Sequence, residues 1–245
     1  MNETIDLIKS HKSIRKYLDK PVEDNIVREI ITSAQAASTS SFMQAYTIIN
    51  VTDIEKKKTI RTLSGDQAYI EECPLFIIFC ADLHKFEIAC DLNSEQMQNG
   101  YTEAFIIATV DAALAAQNAM IAAESLGLGG VYIGGIRNNP KEVSNLLELP
   151  DNVYAVFGMC LGYPAENPEI KLRLPFDAVC CNNKYDLDSK IGLLKQYDEK
   201  IRDYYIERTN GVRCDTWTNQ MSKHVSKPLR PHMKAFLNSK GFLNK

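Results

Sequence analysis

Seven cysteines are spread over the 245 residues, an odd number, and no two of them form a Cys-x-x-Cys pair. That pattern argues against a disulfide framework and a structural zinc, and for a reducing cytosol. Adjacent Cys180 and Cys181 bond to each other only with strained geometry, which leaves them a minor redox candidate. P-loop, H-E-x-x-H, G-x-S-x-G and EF-hand motifs are absent as well. The opening MNETIDLIKS lacks the apolar core of a secretory signal, so the expected location is cytoplasmic. With no repeat, low-complexity linker or composition break, one mixed α/β domain is expected over residues 1–245.

What is present is ordinary in bulk and uneven in detail. Hydrophobic residues at 45% and charged residues at 24% describe a soluble globular chain. A net charge of −3 gives no whole-protein case for nucleic acid. Yet HKSIRKY (11–17) places His11, Lys12, Arg15 and Lys16 together with no acidic residue among them. From Glu199 onward ten Lys/Arg face four Asp/Glu, a local balance of +6. Such a tail faces an anionic partner or the body of its own protein.

Apolar periodicity gives the expected elements. A short helix covers residues 2–10, and Pro21-Val22-Glu23-Asp24 starts a second that carries Ile26, Val27, Ile30, Ile31 and Ala34. A polar loop, ASTSSFMQAY, leads to a strand over 47–53 and a helix over 55–63. The continuous apolar runs at 74–82 and 153–164 predict strands buried on both faces. Residues 85–101 are expected to be irregular. A long Ala-rich helix follows over about 103–126; its Asp111 would cost roughly 2.5–3.5 kcal/mol in a bilayer, so a buried soluble helix is expected. An extended segment, a helix near 188–206 and helical pieces around Pro228 and Pro231 complete the chain.

Five of the twelve glycines fall in residues 127–135. They follow a helix and precede a strand, the reverse of a dinucleotide-binding turn, so that fold is excluded. Helix termination and tight strand packing account for Gly127, Gly129 and Gly130, whereas Gly134-Gly135 would let a flat ligand approach the backbone. In KLRLP (171–175), period-two alternation would send Lys171 and Arg173 to one face as a phosphate clamp. Each polar stretch alone also reads as a solvated surface patch.

Taken together, HKSIRKY, SAQAASTSSFMQAY, GDQAYIE, DAALAAQNAMIAAESLGLGGVYIGGIRNN, FGMCLGYPAENPEIKLRLP and RCDTW resemble the nitroreductase superfamily. The likeness is to its larger branch of NADPH-dependent FMN oxidoreductases, and it covers essentially the whole chain. Lys12 stands where the family usually has arginine, and Leu172 where it commonly has proline.

The resemblance implies a nitroreductase-like fold: a central mixed, mostly antiparallel sheet flanked by helices, with residues 199–245 as an arm wrapping a homodimer partner. It implies tightly bound, non-covalent FMN. His11, Lys12, Ser13, Lys171 and Arg173 look like phosphate-end donors, Arg15 like the cation beside the pyrimidine side of the ring. Gln67 and Tyr69 resemble residues at its polar edge; Ile133, Gly134 and Gly135 the backbone beside it. Ser38, Thr39, Ser40, Ser41 and Gln44 match a loop reaching the partner's flavin, and Arg208 and Arg213 the arginines that meet NADPH. The implied activity is ping-pong, two-electron reduction of nitroaromatics, quinones or free flavins. No catalytic side chain beyond the flavin, no metal, no membrane and no nucleic acid is expected. Two competitors remain: a thiol–disulfide reductase using Cys180, Cys181 or Cys214, and a polyanion-binding protein using the basic tail, which lacks the aromatic stripe that base stacking requires.

Overall fold

A strand whose neighbours cover both faces needs no alternation, and Leu75–Asp82 buries all eight of its side chains. This strand, β2, lies at the centre of a four-stranded sheet in a computed structural model that describes residues 2–245. The others are β1 (Tyr46–Asn50), β3 (Gly129–Ile133) and β4 (Val153–Gly162). Their order is β1-β2-β4-β3, antiparallel throughout, with Tyr46 opposite Ala81, Leu75 opposite Leu161 and Gly129 opposite Gly162. The parallel component of the expected sheet reduces to one bridge, Ser13 beside Gly130.

The chain divides into two compact units: residues 1–169 with 232–245, and residues 170–231. In the first, α1 (Glu3–Lys9), α2 (Asp24–Gln35) and α3 (Ile54–Leu63) match the expected helices. Asp53 caps α3 by accepting from the amides of Glu55 and Lys56. The long helix Thr102–Ser125 turns Ala108, Ala112, Ala115, Ala116 and Ala119 inward and packs on α2 and β2. Alanine lets these backbones approach closely, which is why the contact face is a run of methyl groups. Among the described residues this is the one helix long and apolar enough to cross a membrane.

Three helices of this unit escaped the sequence reading. Tyr69–Glu72 is α4, His84–Leu92 is α5, and Pro140–Leu146 is α7, the long helix being α6. The expected irregular stretch 85–101 is therefore corrected over its first half. Its periodicity was silent for a physical reason: no residue of α5 is fully buried and only Phe86 packs on the core, too little to write an apolar period into it. The last helix, α11 (Met233–Ser239), returns Phe236 and Leu237 to the main core beside Phe242.

The second unit holds α8 (Phe176–Val179), α9 (Ile191–Arg208) and α10 (Trp217–Val225). Only Tyr197 and Ile201 of α9 are buried. The two longer helices are joined by Thr218, whose amide and hydroxyl both donate to the Asp198 carboxylate, and by the Tyr197–Trp217 edge contact.

Candidate functional site

The basic segment is held largely through its backbone. The Ile14 amide donates to Gly130 O at 3.0 Å, and the Leu18 amide to Tyr163 O at 2.8 Å. Glu166 accepts from the amides of Arg15 (2.6 Å) and Lys16 (3.1 Å). Ile14 is buried against Gly129, where a Cβ would come within 2.5 Å of its side chain. Alternation about this anchor gives Ser13 and Arg15 the opposite face. Lys12 donates to Asn167 Oδ1 at 2.6 Å, and His11 Nδ1 meets Glu124 Oε1, a nearly buried carboxylate, at 2.6 Å. That contact orients the imidazole through Nδ1 and does not involve Nε2.

Gln67 and Tyr69 come together as a unit. Gln67 donates to Ser64 O at 2.7 Å while its carbonyl accepts from the Tyr69 hydroxyl. Gly135 packs on the same pair: a Cβ there would sit 2.4 Å from both Ser64 O and Gln67 Nε2. Close internal packing is thus a sufficient reason for Gly135, apart from any ligand. Gly134 is looser, with Arg137 Nη2 at 3.3 Å from its would-be Cβ. It borders an open cavity of about 370 Å³ lined by Ala113, Gln117, Tyr132, Arg137 and Phe157. Ile133 is fully buried at the end of β3. Gly127 terminates α6 at φ +82°, as its place in the pattern predicted.

In the loop before β1, Ser38, Ser40, Ser41 and Gln44 are exposed and Thr39 is half-buried. Ser41, Phe42 and Gln44 take φ of 48°, 60° and 55°. Phe42 is 82% exposed, an aromatic ring held outward by a conformation that few non-glycine residues adopt.

The remaining candidates lie in the second unit. Lys171 and Arg173 are exposed, and Arg173 Nη1 donates to Lys171 O at 2.9 Å. Arg208 donates to the Tyr204 hydroxyl at 2.6 Å. Arg213 stacks 4.2 Å over the Tyr205 ring and pairs with Asp215 at 2.9 Å, so its charge is already met by a carboxylate.

All seven cysteines are free thiols. Cys73, Cys80 and Cys160 are buried in the sheet region, and burial pushes Cys80 up to about 12, far from a reactive thiolate. Cys180 and Cys214 are exposed; Lys190 Nζ lies 3.1 Å from Cys180 O and 3.5 Å from Cys181 Sγ. Nothing in this arrangement favours a dithiol site. Among the described residues no cluster of His, Cys, Asp or Glu could hold a metal.

Sequence reasoning missed Glu124, Glu166 and Ser64. Glu124 and Glu166 act across more than a hundred residues, and Ser64, though bonded locally to Gln67, meets Gly135 only in the folded chain.

Residues 8–163 match the Nitroreductase family, and residues 171–245 match the Nitroreductase family, C-terminal domain. The chain belongs to the nitroreductase family. It is 43% identical to a Bacillus subtilis protein named FMN reductase (NADPH), over 99% of both chains. It is 42% identical to the oxygen-insensitive NADPH nitroreductase of Salmonella typhimurium, again over 99% of both. Among solved structures, B. megaterium NfrA1 superposes with a TM-score of 0.97 at 46% identity, covering 99% of this chain and all of the other. The fold is therefore nitroreductase-like.

Proposed function

We infer that this chain is an NADPH-dependent FMN oxidoreductase that reduces planar acceptors such as nitroaromatics, quinones and free flavins. The observation that carries the reading is the match to NADPH-dependent FMN reductase and nitroreductase along both matched regions, at more than 40% identity.

The residues of the first unit suit such a cofactor. His11, Lys12, Ser13 and Arg15 supply cationic and hydroxyl donors on one backbone-anchored segment, and Gln67 offers an amide fixed at both ends. Bound FMN supplies a carrier that accepts two electrons from NADPH and releases them to the acceptor. His11, oriented by Glu124, donates to the phosphate, with Lys12 and Ser13 as further donors. The Arg15 guanidinium would offer the flavin ring a fixed positive charge, which favours electron uptake by the ring. Lys171 and Arg173 are two exposed cations of the kind that binds phosphate. Arg208, which donates to the neutral Tyr204 hydroxyl, meets the extra phosphate that distinguishes NADPH from NADH; Arg213 assists.

The same reading makes the protein a cytoplasmic homodimer. Ile106, Val110 and Leu114 form an exposed stripe at helical spacing on α6, an apolar surface that a second copy would cover. Residues 1–245 then act as one FMN-binding domain; of the expected arm, 199–245, the part that would wrap the partner is 199–231, because 232–245 packs into the chain's own core, and Ser38–Ser41 with Gln44 serve the partner's cofactor.

The test is an absorbance spectrum of purified protein followed by anaerobic NADPH or NADH. Flavin bands that bleach faster with NADPH are expected. A protein that stays colourless after FMN is added sinks the assignment, and equal bleaching by both removes Arg208 as a phosphate selector.

A further inference from the structure

α6 is apolar nearly all the way round, yet Asp111 lies in its middle, 1% exposed between buried Ala108, Ala112 and Ala115. A carboxylate in that place is costly unless hydrogen bonds meet its charge. Packing alone would be satisfied by another alanine. Among the described residues Asp111 forms no ion pair. Its Oδ1 accepts from the Ser40 amide at 3.1 Å and its Oδ2 from the Ala45 amide at 3.0 Å.

Those two amides are the two ends of the loop that carries Ser41, Phe42 and Gln44 in left-handed conformations. Such residues cost free energy and persist only where their surroundings hold them. The loop's own main-chain bonds, Met43 N–H to Ser40 O and Tyr46 N–H to Gln44 O (2.8 Å each), are local. They shape the loop without placing it. At the Ala45 end the Asp82 amide also donates to Ala45 O at 3.0 Å, joining that end to the sheet. Asp111 is the contact that fastens both ends to one rigid helix, with charge-assisted bonds.

We propose that Asp111 is the positioning residue for the 40–45 loop, and that through this clamp it sets how firmly FMN is retained. The proposal rests on the reading of the protein as an FMN enzyme in which this loop reaches the cofactor. Asp111 lies one residue after Val110 and three before Leu114, so the helix that offers the exposed apolar stripe also carries the anchor. The anchored loop and that stripe are thus fixed in one register.

The test is Asp111→Asn in the full-length protein. Asparagine keeps the size, but one end of the loop meets an NH2 group and loses its acceptor. Titration of the apoprotein with FMN, followed by flavin fluorescence, is expected to show about tenfold weaker binding, the loss of one charge-assisted bond. Amide exchange at Ser40 and Ala45 should quicken by a similar factor. The control is Ala116→Gly, a fully buried site on the same helix that lowers Tm without touching the loop. It should leave FMN affinity within about twofold, because lost stability alone does not move the loop. Wild-type affinity in Asp111→Asn, or a loss no greater than in the control, overturns the proposal. A wild-type protein that takes up no FMN overturns the functional reading, and this inference with it.

Discussion

The two units are built on different principles. In the first, β2 buries every side chain and β4 all but Phe157, and alanines let α6 sit tightly on the sheet. In the second, an eighteen-residue helix buries two residues, while Phe176, Val179, Tyr185, Val212 and Val225 are each more than 60% exposed. The first unit can draw its stability from its own core. The second has a thin core and leaves apolar surface for something else to cover, which a wrapping arm in a dimer would explain.

That contrast can be broken most directly by one substitution made in each unit. Ile77→Ala, in the middle of β2, is expected to cost about 4 kcal/mol, and Ile201→Ala in α9 about 2 kcal/mol. Urea titration measures both, and equal costs would remove the distinction. Arg15→Ala should weaken FMN binding roughly tenfold to a hundredfold, read by flavin content after dialysis. Full retention with unchanged turnover would end its assigned role. Arg208→Ala should raise the KM for NADPH about tenfold with little change for NADH, and Arg213→Ala less, because Asp215 already occupies Arg213. An equal effect of the two arginines would show that the Asp215 pair opens on binding.

The smallest expected effect is alkaline. Burial pushes both Cys80 and Tyr154 up to about 12, and both belong to the sheet. Between their unfolded values, near 8.5 and 10, and about 12, the unfolded chain has released protons that the folded one retains. Stability from these groups is complete below that window and falls as pH rises through it. Cys80→Ala should flatten the fall, which urea midpoints at pH 8 and 10.5 would show. The sole tryptophan, Trp217, reports on the second unit and should respond less to this pH change than the far-UV signal of the sheet.

How much of this was legible beforehand varied with the kind of interaction. β2 and β4 stood out as unbroken apolar runs because strands covered on both faces have no polar side to encode. α6 stood out by its length and alanine content, and the family resemblance gathered the basic segment, the serine loop and the glycine pair into one reading. α5 was invisible because it touches the core through Phe86 alone, and α4, at four residues, is too short to show a period. Asp111 was read only as an obstacle to a membrane span, since nothing local ties residue 111 to residues 40 and 45.

The sequence by itself determined a mixed α/β domain through hydrophobic periodicity, a local property of a chain, and its resemblance to the nitroreductase superfamily supplied the fold class and the chemical types at the candidate site. Only the tertiary structure decided what holds those residues in place. Glu166 fixes the basic segment, Glu124 turns His11, Ser64 and Gln67 require Gly135, and Asp111 clamps the serine loop. Each of these joins positions through a hydrogen bond or a close packing contact whose partner the chain brings near only on folding.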